Sequence, residues 1–441
     1  MNHNPLGASE VAPAGPSLPE VHRSVTVPGG AGFWRKLLAF SGPGFLIAVG
    51  YMDPGNWATD LAGGSEFAYR LIFVLLASNL MAILLQSLAA RLGIVTSRDL
   101  AQMCRESYSR RTSFSLWIFA EIAIAACDLA EVIGSAIALN LLFHIPLLVG
   151  VCLTALDVLV ILYLQHRGFR LLEVVVVALI ATIGICYLLE ILMVRPSIVG
   201  ILQGFVPTPE ILRNRDMLYI AVSMLGATVM PHNLYLHSSL VQTRAIERTP
   251  LGLRTAIRFN FLDLFLALNF AFLINAAILV MAAGTFFKHG MRQMAEIQQA
   301  YHTLSPLLGI PLASFLFALA LLASGQNSTL TGTLAGQVVM EGFLNIRLAP
   351  WLRRLITRLL AIVPAIITVA FFGEGGTAKL LILSQVVLSL QLSFAVFPLV
   401  KFTCDRRKMG EFTNAPWLRV LSWTVAWAIA ALNGYLLVLM I

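Results

Sequence analysis

Apolar residues run along this chain in stretches of span length, separated by short polar segments that hold most of the charge. A helix needs about 20 apolar residues to cross the hydrocarbon core of a bilayer. That length predicts eleven spans: 42–65, 68–92, 113–142, 147–166, 171–193, 217–240, 258–283, 311–335, 355–372, 378–399 and 418–440. The eighth is the weakest, because 324–333 is polar. Residues 1–32 are rich in Pro, Gly and Ser and read as a disordered cytoplasmic tail. They hold no short apolar run with a small-residue cleavage site, so the first hydrophobic segment reads as an uncleaved span.

Composition turns this pattern into a solvent argument. The chain has 441 residues, 58% of them hydrophobic and only 12% charged, where a soluble domain carries about 25% charged residues. It needs lipid, and in lipid only helices or closed barrels satisfy their own backbone. Long uninterrupted runs select the helix, so the fold class is all-α integral membrane.

A net charge of +8 would suggest nucleic acid in a soluble protein. Here the placement of the charges matters more than their sum. With the N-terminus inside, the cytoplasmic segments hold 23 of the 30 Lys and Arg residues and the outer segments 7. That is the asymmetry the positive-inside rule requires. Eleven spans then put the C-terminus outside, and no nucleic-acid partner is expected. The cysteines Cys104, Cys127, Cys152, Cys186 and Cys404 show no CxxC spacing and read as small core residues.

The first and sixth spans share an interruption. Each carries x-Pro-x-Asn in its interior: Asp53-Pro54-Gly55-Asn56 in one, Met230-Pro231-His232-Asn233 in the other. Proline removes a backbone donor and crowds the preceding turn. Broken helices survive at membrane depth only inside protein or beside a polar cavity. Five spans separate the two starts, and that odd number inverts the second unit. Two inverted five-helix repeats, about 42–193 and 217–399, with an added helix at 418–440, are the pattern of secondary transporters whose substrate sits between the breaks. An ordinary proline kink is the plainer reading, but it leaves the carboxylate at one break and the Asn at both unexplained.

Candidate chemistry gathers at these breaks. Asp53 is a mid-span carboxylate, which costs about 2.5–3.5 kcal/mol on an insertion scale. A bound cation offsets that cost. Asn56 adds an amide oxygen, and unwound carbonyls, with Ala227 the nominated one, add more. Alone these hard donors suit Mg²⁺ or Na⁺. Met230 brings a thioether, which favours transition metals such as Mn²⁺ or Fe²⁺, although most membrane methionines only pack.

His232 beside the second break is a candidate proton acceptor, and His237 a weaker one. Glu121, Asp128 and Glu131 lie nearly on one side of the third span and suggest a proton relay. The alternative is pairing with loop arginines such as Arg353 or Arg354. Asp60, Asp157, Glu173, Glu190 and Asp263 lie nearer span ends and are expected to be solvated or paired. Gln86, Gln385 and Gln391 are amides in apolar surroundings, with helix–helix hydrogen bonding as their default.

With these residues in hand the chain resembles the Nramp family of proton-coupled divalent metal transporters, including bacterial manganese importers. The matching stretches are Asp53–Asn56, Asp128-Leu-Ala-Glu131, Met230–Asn233, and Gly325–Gly332 running on to Met340-Glu-Gly-Phe343. The resemblance covers about residues 33–441. It implies a leucine-transporter fold, import of Mn²⁺ or Fe²⁺ with protons by alternating access, no resident cofactor, no obligatory protein partner and a bacterial inner-membrane location. It implies metal ligation by Asp53, Asn56, Met230 and the Ala227 carbonyl, and proton movement through Asp128, Glu131 and His232. The family's magnesium-selective relatives lack the methionine that stands here at 230.

Two other classes compete. A sodium-coupled symporter of organic solutes on the same fold would present helix N-termini to a substrate carboxylate, which Asp53 would repel. An intramembrane metalloenzyme would need a ligand set such as HExxH, which the sequence lacks.

Overall fold

The computed structural model describes residues 15–27, 32–156, 163, 167–292, 294, 296–346, 350–372 and 376–440. All eleven expected spans fall on helices. The first is split into Pro43–Gly50 and Pro54–Phe67, and the sixth into Arg215–Thr228 and Pro231–Leu240. The second is Ile72–Thr96, the third Arg110–Phe143, the fifth Phe169–Val194 and the seventh Pro250–Thr285. The eighth is Leu312–Leu344, the ninth Pro350–Phe372, the tenth Thr377–Thr403 and the eleventh Pro416–Met440. The fourth begins with Leu147–Leu153 and the 3₁₀ turn Thr154–Leu156. Most of its remainder, with Asp157, lies outside the described residues.

Seven of the described helices are long and apolar enough to cross a membrane by length and composition. The others depart for visible reasons. The first is broken, the fourth is described only in part, the eighth carries its polar stretch, and the ninth has a shorter apolar core at Ile362–Phe371.

Proline starts three of the half-helices, Pro43, Pro54 and Pro231, each at a first-turn position where a missing N–H leaves no intrahelical bond unmade. Gly42 precedes the first of them at φ 136°, a conformation that L side chains rarely adopt. The third and eighth helices pack along their lengths, and the seventh packs against the first and second. The broken first span is therefore enclosed by protein on several sides, and the described residues of its second half up to Ser65 are buried throughout.

Ser41–Gly44, where the first span begins, is held from three directions. Asp263 of the seventh helix accepts from the Gly44 amide at 2.7 Å and the Gly42 amide at 3.3 Å. Arg244, just past the sixth span, donates to the Ser41 carbonyl at 2.6 Å and the Ala39 carbonyl at 3.3 Å. Arg170 also donates to Ser41. Glu173 ties the two arginines together, at 2.7 Å from each. The Arg244 and Glu173 side chains are 1% and 4% exposed. The sequence expectation of pairing thus holds for Glu173 and Asp263.

It does not hold for Asp60 and Glu190. Both are fully buried, and none of their carboxylate oxygens has a hydrogen-bond partner. Helical register places Asp60 two turns beyond Asp53 on the inward face of the first span, deeper in protein than its distance from the span end suggested.

The expected disordered tail also needs correction. Residues 15–27 lie against the protein, with Leu18 only 1% exposed and Val25–Thr26 paired in parallel with Arg244–Ala245. Composition pointed to disorder, but a few well-placed side chains and backbone groups find partners on the helix ends.

Removing one member of a buried ion pair strands the other, at a cost of about 3–5 kcal/mol. Glu173→Ala should therefore lower the thermal unfolding midpoint of the detergent-solubilised protein by several degrees. Arg254→Ala, which breaks the exposed pair with Glu411, should leave the midpoint unchanged. Equal midpoints for Glu173→Ala and the parent chain would contradict the structural role given to this clamp.

Candidate metal site at the two helix breaks

The first break spans Tyr51–Asp53 and the second Val229–Met230. Asp53 caps the helix that follows it, its Oδ1 accepting from the Asn56 amide at 2.7 Å. The Asn56 side chain then reaches across. Its Nδ2 donates to Asp53 Oδ1 at 2.7 Å, to the Ala227 carbonyl at 3.0 Å and to the Gly50 carbonyl at 3.3 Å. A single amide thus gathers the carboxylate and one free carbonyl from each broken helix. Asp53 is completely buried, and its Oδ2 has no hydrogen-bond partner.

Met230 caps the second half of the sixth span and is fully buried. Its sulfur accepts from Asn233 Nδ2 at 3.6 Å. Gly50 lets the breaks meet, since a Cβ there would lie 2.5 Å from Asn233 Nδ2 and 3.1 Å from Met230 Sδ. Asp53, Asn56, the Ala227 carbonyl and Met230 are therefore brought into one buried locus. The set holds one carboxylate, neutral oxygens and a thioether. Among the described residues no three His, Cys, Asp or Glu side chains converge on a point where they could hold a metal. Any ion held here would rely on this mixed set.

The neighbours sort into layers. Gln385 of the tenth helix lies against Gly55, close enough to leave no room for a Cβ there, and its Oε1 is unpartnered. Cys127 of the third helix shares a buried cluster with Met230, Ala123 and Leu388, and its thiol donates to Glu131 Oε1 at 3.6 Å. Asp128 and Glu131 are buried and face Gly332 of the eighth helix, where a Cβ would come within 2.7 Å of Asp128 Oδ1 and 3.1 Å of Glu131 Oε1. Glu121 lies farther along the same helix, half-buried, accepting from the Trp117 indole at 2.9 Å. The side chains of Arg353 and Arg354 lie outside the described residues.

His232 is buried with Nδ1 unpartnered. His237 and Gln86 do not reach the locus directly. They form a chain of their own, His237 Nδ1 to Gln86 Oε1 at 3.0 Å and Gln86 Nε2 to the Tyr51 hydroxyl at 3.1 Å. It runs from the sixth span through the second to the first break.

Sequence reasoning missed Asn275. This buried amide of the seventh helix donates to the Tyr51 carbonyl at 2.6 Å and to Asn56 Oδ1 at 3.3 Å. It satisfies a carbonyl that the first break frees, and it orients the amide that gathers the site. The available signal was a lone Asn in the middle of an apolar run, which membrane energetics marks as having a purpose.

Comparison with known proteins places this geometry. The family model described as "Natural resistance-associated macrophage protein-like" (Nramp) matches residues 44–439. A divalent metal cation transporter MntH of Nostoc sp. is 63% identical over 422 residues, covering 96% of each chain. Its namesake in Listeria innocua is 62% identical over 422 residues, 96% of this chain and 94% of the other. The crystal structure of the Eremococcus coleocola manganese transporter superposes with a TM-score of 0.88 at 42% identity, covering 95% of this chain and 90% of that one. Mhp1, a nucleobase–cation symporter, shares the fold alone, with a TM-score of 0.61 at 12% identity over 90% of this chain and 91% of its own. The proteins matched over the full membrane domain are named as transporters, none as an enzyme. A many-span helical fold with its first and sixth helices broken, and a match across nearly its whole length, establish that the chain belongs to the Nramp family.

Proposed function

We propose that this multi-pass membrane protein imports divalent transition-metal ions, Mn²⁺ and Fe²⁺, into the cytoplasm together with protons, by alternating access. The observation that carries the reading is the meeting of the two breaks: the unpartnered Oδ2 of buried Asp53 shares a locus with Asn56, the Ala227 carbonyl and the Met230 thioether. An unpaired buried carboxylate is costly, and a cation arriving between the breaks offsets that cost. Because each donor belongs to a half-helix, tilting either half changes the ligand set. The same ion can then be held facing one side and released to the other. The names of the relatives, divalent metal cation transporter and manganese transporter, support the choice of cargo.

Met230 sets selectivity. Hard oxygen donors bind Ca²⁺ and Mg²⁺ as readily as Mn²⁺, whereas a thioether contributes chiefly to softer ions. Asp128 and Glu131, one turn apart on the neighbouring third helix, carry the coupled proton, with His232 at the second break. The metal and proton routes stay adjacent without sharing ligands. The Lys and Arg distribution puts the N-terminus in the cytoplasm and the C-terminus outside, in the inner membrane of a bacterium.

Three measurements test this reading. In proteoliposomes with an acidic exterior, the chain should take up Mn²⁺ with saturable kinetics, and Asp53→Ala should reduce uptake at least a hundredfold. Uptake that survives Asp53→Ala removes the site from the mechanism. Met230→Ala should retain Mn²⁺ transport at reduced affinity, about tenfold or 1.4 kcal/mol, while Ca²⁺ becomes an effective competitor. If Ca²⁺ competes no better than with the parent chain, the thioether does not select the cargo. Glu131→Gln should leave Mn²⁺ binding intact but flatten the dependence of uptake on external pH. An unchanged pH profile would take Glu131 off the proton route.

A further inference from the structure

The ordered stretch 15–27 crosses the face that the charge distribution assigns to the cytoplasm, and its two ends hold different parts of the transporter. At one end Ser17 donates to Asp99 at 2.6 Å, and Gln102 donates to the Gly15 carbonyl at 3.1 Å. Both partners belong to the capped helix Leu100–Ser107, which links the second and third spans. The Leu18 amide donates to Glu341 at 3.1 Å, and Gln337 donates to Glu20 at 2.8 Å. Those two residues form the end of the eighth helix.

At the other end the Arg23 amide donates to the Gln242 carbonyl at 3.0 Å, and Val25–Thr26 pair with Arg244–Ala245. These partners follow directly from the broken sixth span. Val27 packs into the cluster of Phe40, Val241, Ile246 and Phe259, which joins the start of the first span to the seventh helix. Leu18 sits at φ 56° and Arg23 at φ 55°, a conformation that costs a side-chain-bearing residue about 1–2 kcal/mol and persists only where contacts enforce it.

Between these ends runs the interface that an ion leaving the breaks must pass. The eighth helix packs along the third, whereas the first, sixth and seventh spans carry the breaks and their partners. Separating the eighth helix end from the sixth span end, as release to the cytoplasm requires, would have to part the strap from one of its anchors. Arg244 couples it further. Its backbone pairs with the strap, while its buried guanidinium holds the Ser41 carbonyl at the start of the first span.

We infer that residues 15–27 form a latch that holds the cytoplasmic side closed and must release one anchor before the ion can leave. The latch rests on the alternating-access reading above, and its occupant is a segment of the chain itself. It lies far from the metal donors in sequence and touches none of them among the described contacts. It therefore governs the rate of opening and leaves ion affinity alone.

Two experiments on the full chain test it. Glu20→Cys with Gln337→Cys, joined by a short membrane-permeant bis-thiosulfonate, should cut Mn²⁺ uptake into proteoliposomes at least tenfold and recover on reduction. Mn²⁺ binding measured by calorimetry should stay within twofold. Complete cross-linking with undiminished uptake overturns the latch. Leu18→Asp, which places a charge in the buried anchor, should speed alkylation of Cys104, fully buried on the helix that anchors the strap, at least threefold by peptide mass spectrometry. An unchanged rate also overturns the latch. If the parent chain carried no Mn²⁺ at all, the transport reading would fail while the Cys104 assay still judged the strap.

Discussion

No water reaches the hydrocarbon core of a bilayer, so a helix interrupted there must find partners for its freed backbone groups within the protein. Much of this molecule answers that demand. The Gly50 and Ala227 carbonyls go to Asn56, the Tyr51 carbonyl goes to Asn275, and the Met52 carbonyl goes to Ser324 of the eighth helix. The polar stretch that made the eighth span weak as a membrane helix is therefore partly the covering for the first break. Gly50 and Gly55 follow from the same demand, because side chains there would push away the residues that close the site. What the protein leaves unsatisfied is one oxygen of Asp53, and that is the position a cation would take.

A second consequence concerns charge. Buried acids cluster around the broken first span from several helices: Asp53 and Asp60 on it, Asp128 and Glu131 on the third, and Glu190 on the fifth. The buried cation Arg244 is instead committed to Glu173 and the Ser41 carbonyl at the far end of the first span. A membrane interior holding acids without matching bases favours cations as visitors and repels anionic solutes. That agrees with a metal cargo and disfavours substrates that carry a carboxylate, even though distant symporters share the fold. The fold supplies the two breaks; the residues placed at them decide what they hold.

Much of this was legible in the sequence because membrane constraints are severe. Span length, charge asymmetry and a repeated x-Pro-x-Asn are coarse signals that tertiary packing cannot override, and the helices fall where they place them. Asp53, Asn56 and Met230 were legible because a donor beside a proline in a span has few bland explanations. The remainder depended on depth and register. Asp60 was expected near solvent because it lies toward a span end, yet the second half of the first span is enclosed to its last turn. Asn275 carried no motif, and its role appears only when the seventh helix is laid against the break. The tail misled for the opposite reason. Its composition cannot build a core, but it does not need one, since the helix ends it crosses provide Leu18 with a buried seat.

The two fastenings on the cytoplasmic side differ in strength, and the difference suits them to different tasks. The Glu173–Arg244 pair is almost completely buried, so breaking it exposes two charges to a poor solvent and costs several kcal/mol. It behaves as a permanent joint that keeps the start of the first span attached to the fifth and sixth. The strap contacts are individual hydrogen bonds near water, each worth about 0.5–1.5 kcal/mol net, with Glu20 exposed. Each anchor therefore comes to a few kcal/mol, small enough to release and re-form in every cycle and large enough to bias the resting population. A latch built like the buried pair would trap the transporter, and one with a single exposed contact would not hold it. The strap lies between these limits because it spreads modest contacts over two anchors, so that either can let go while the other keeps it in place.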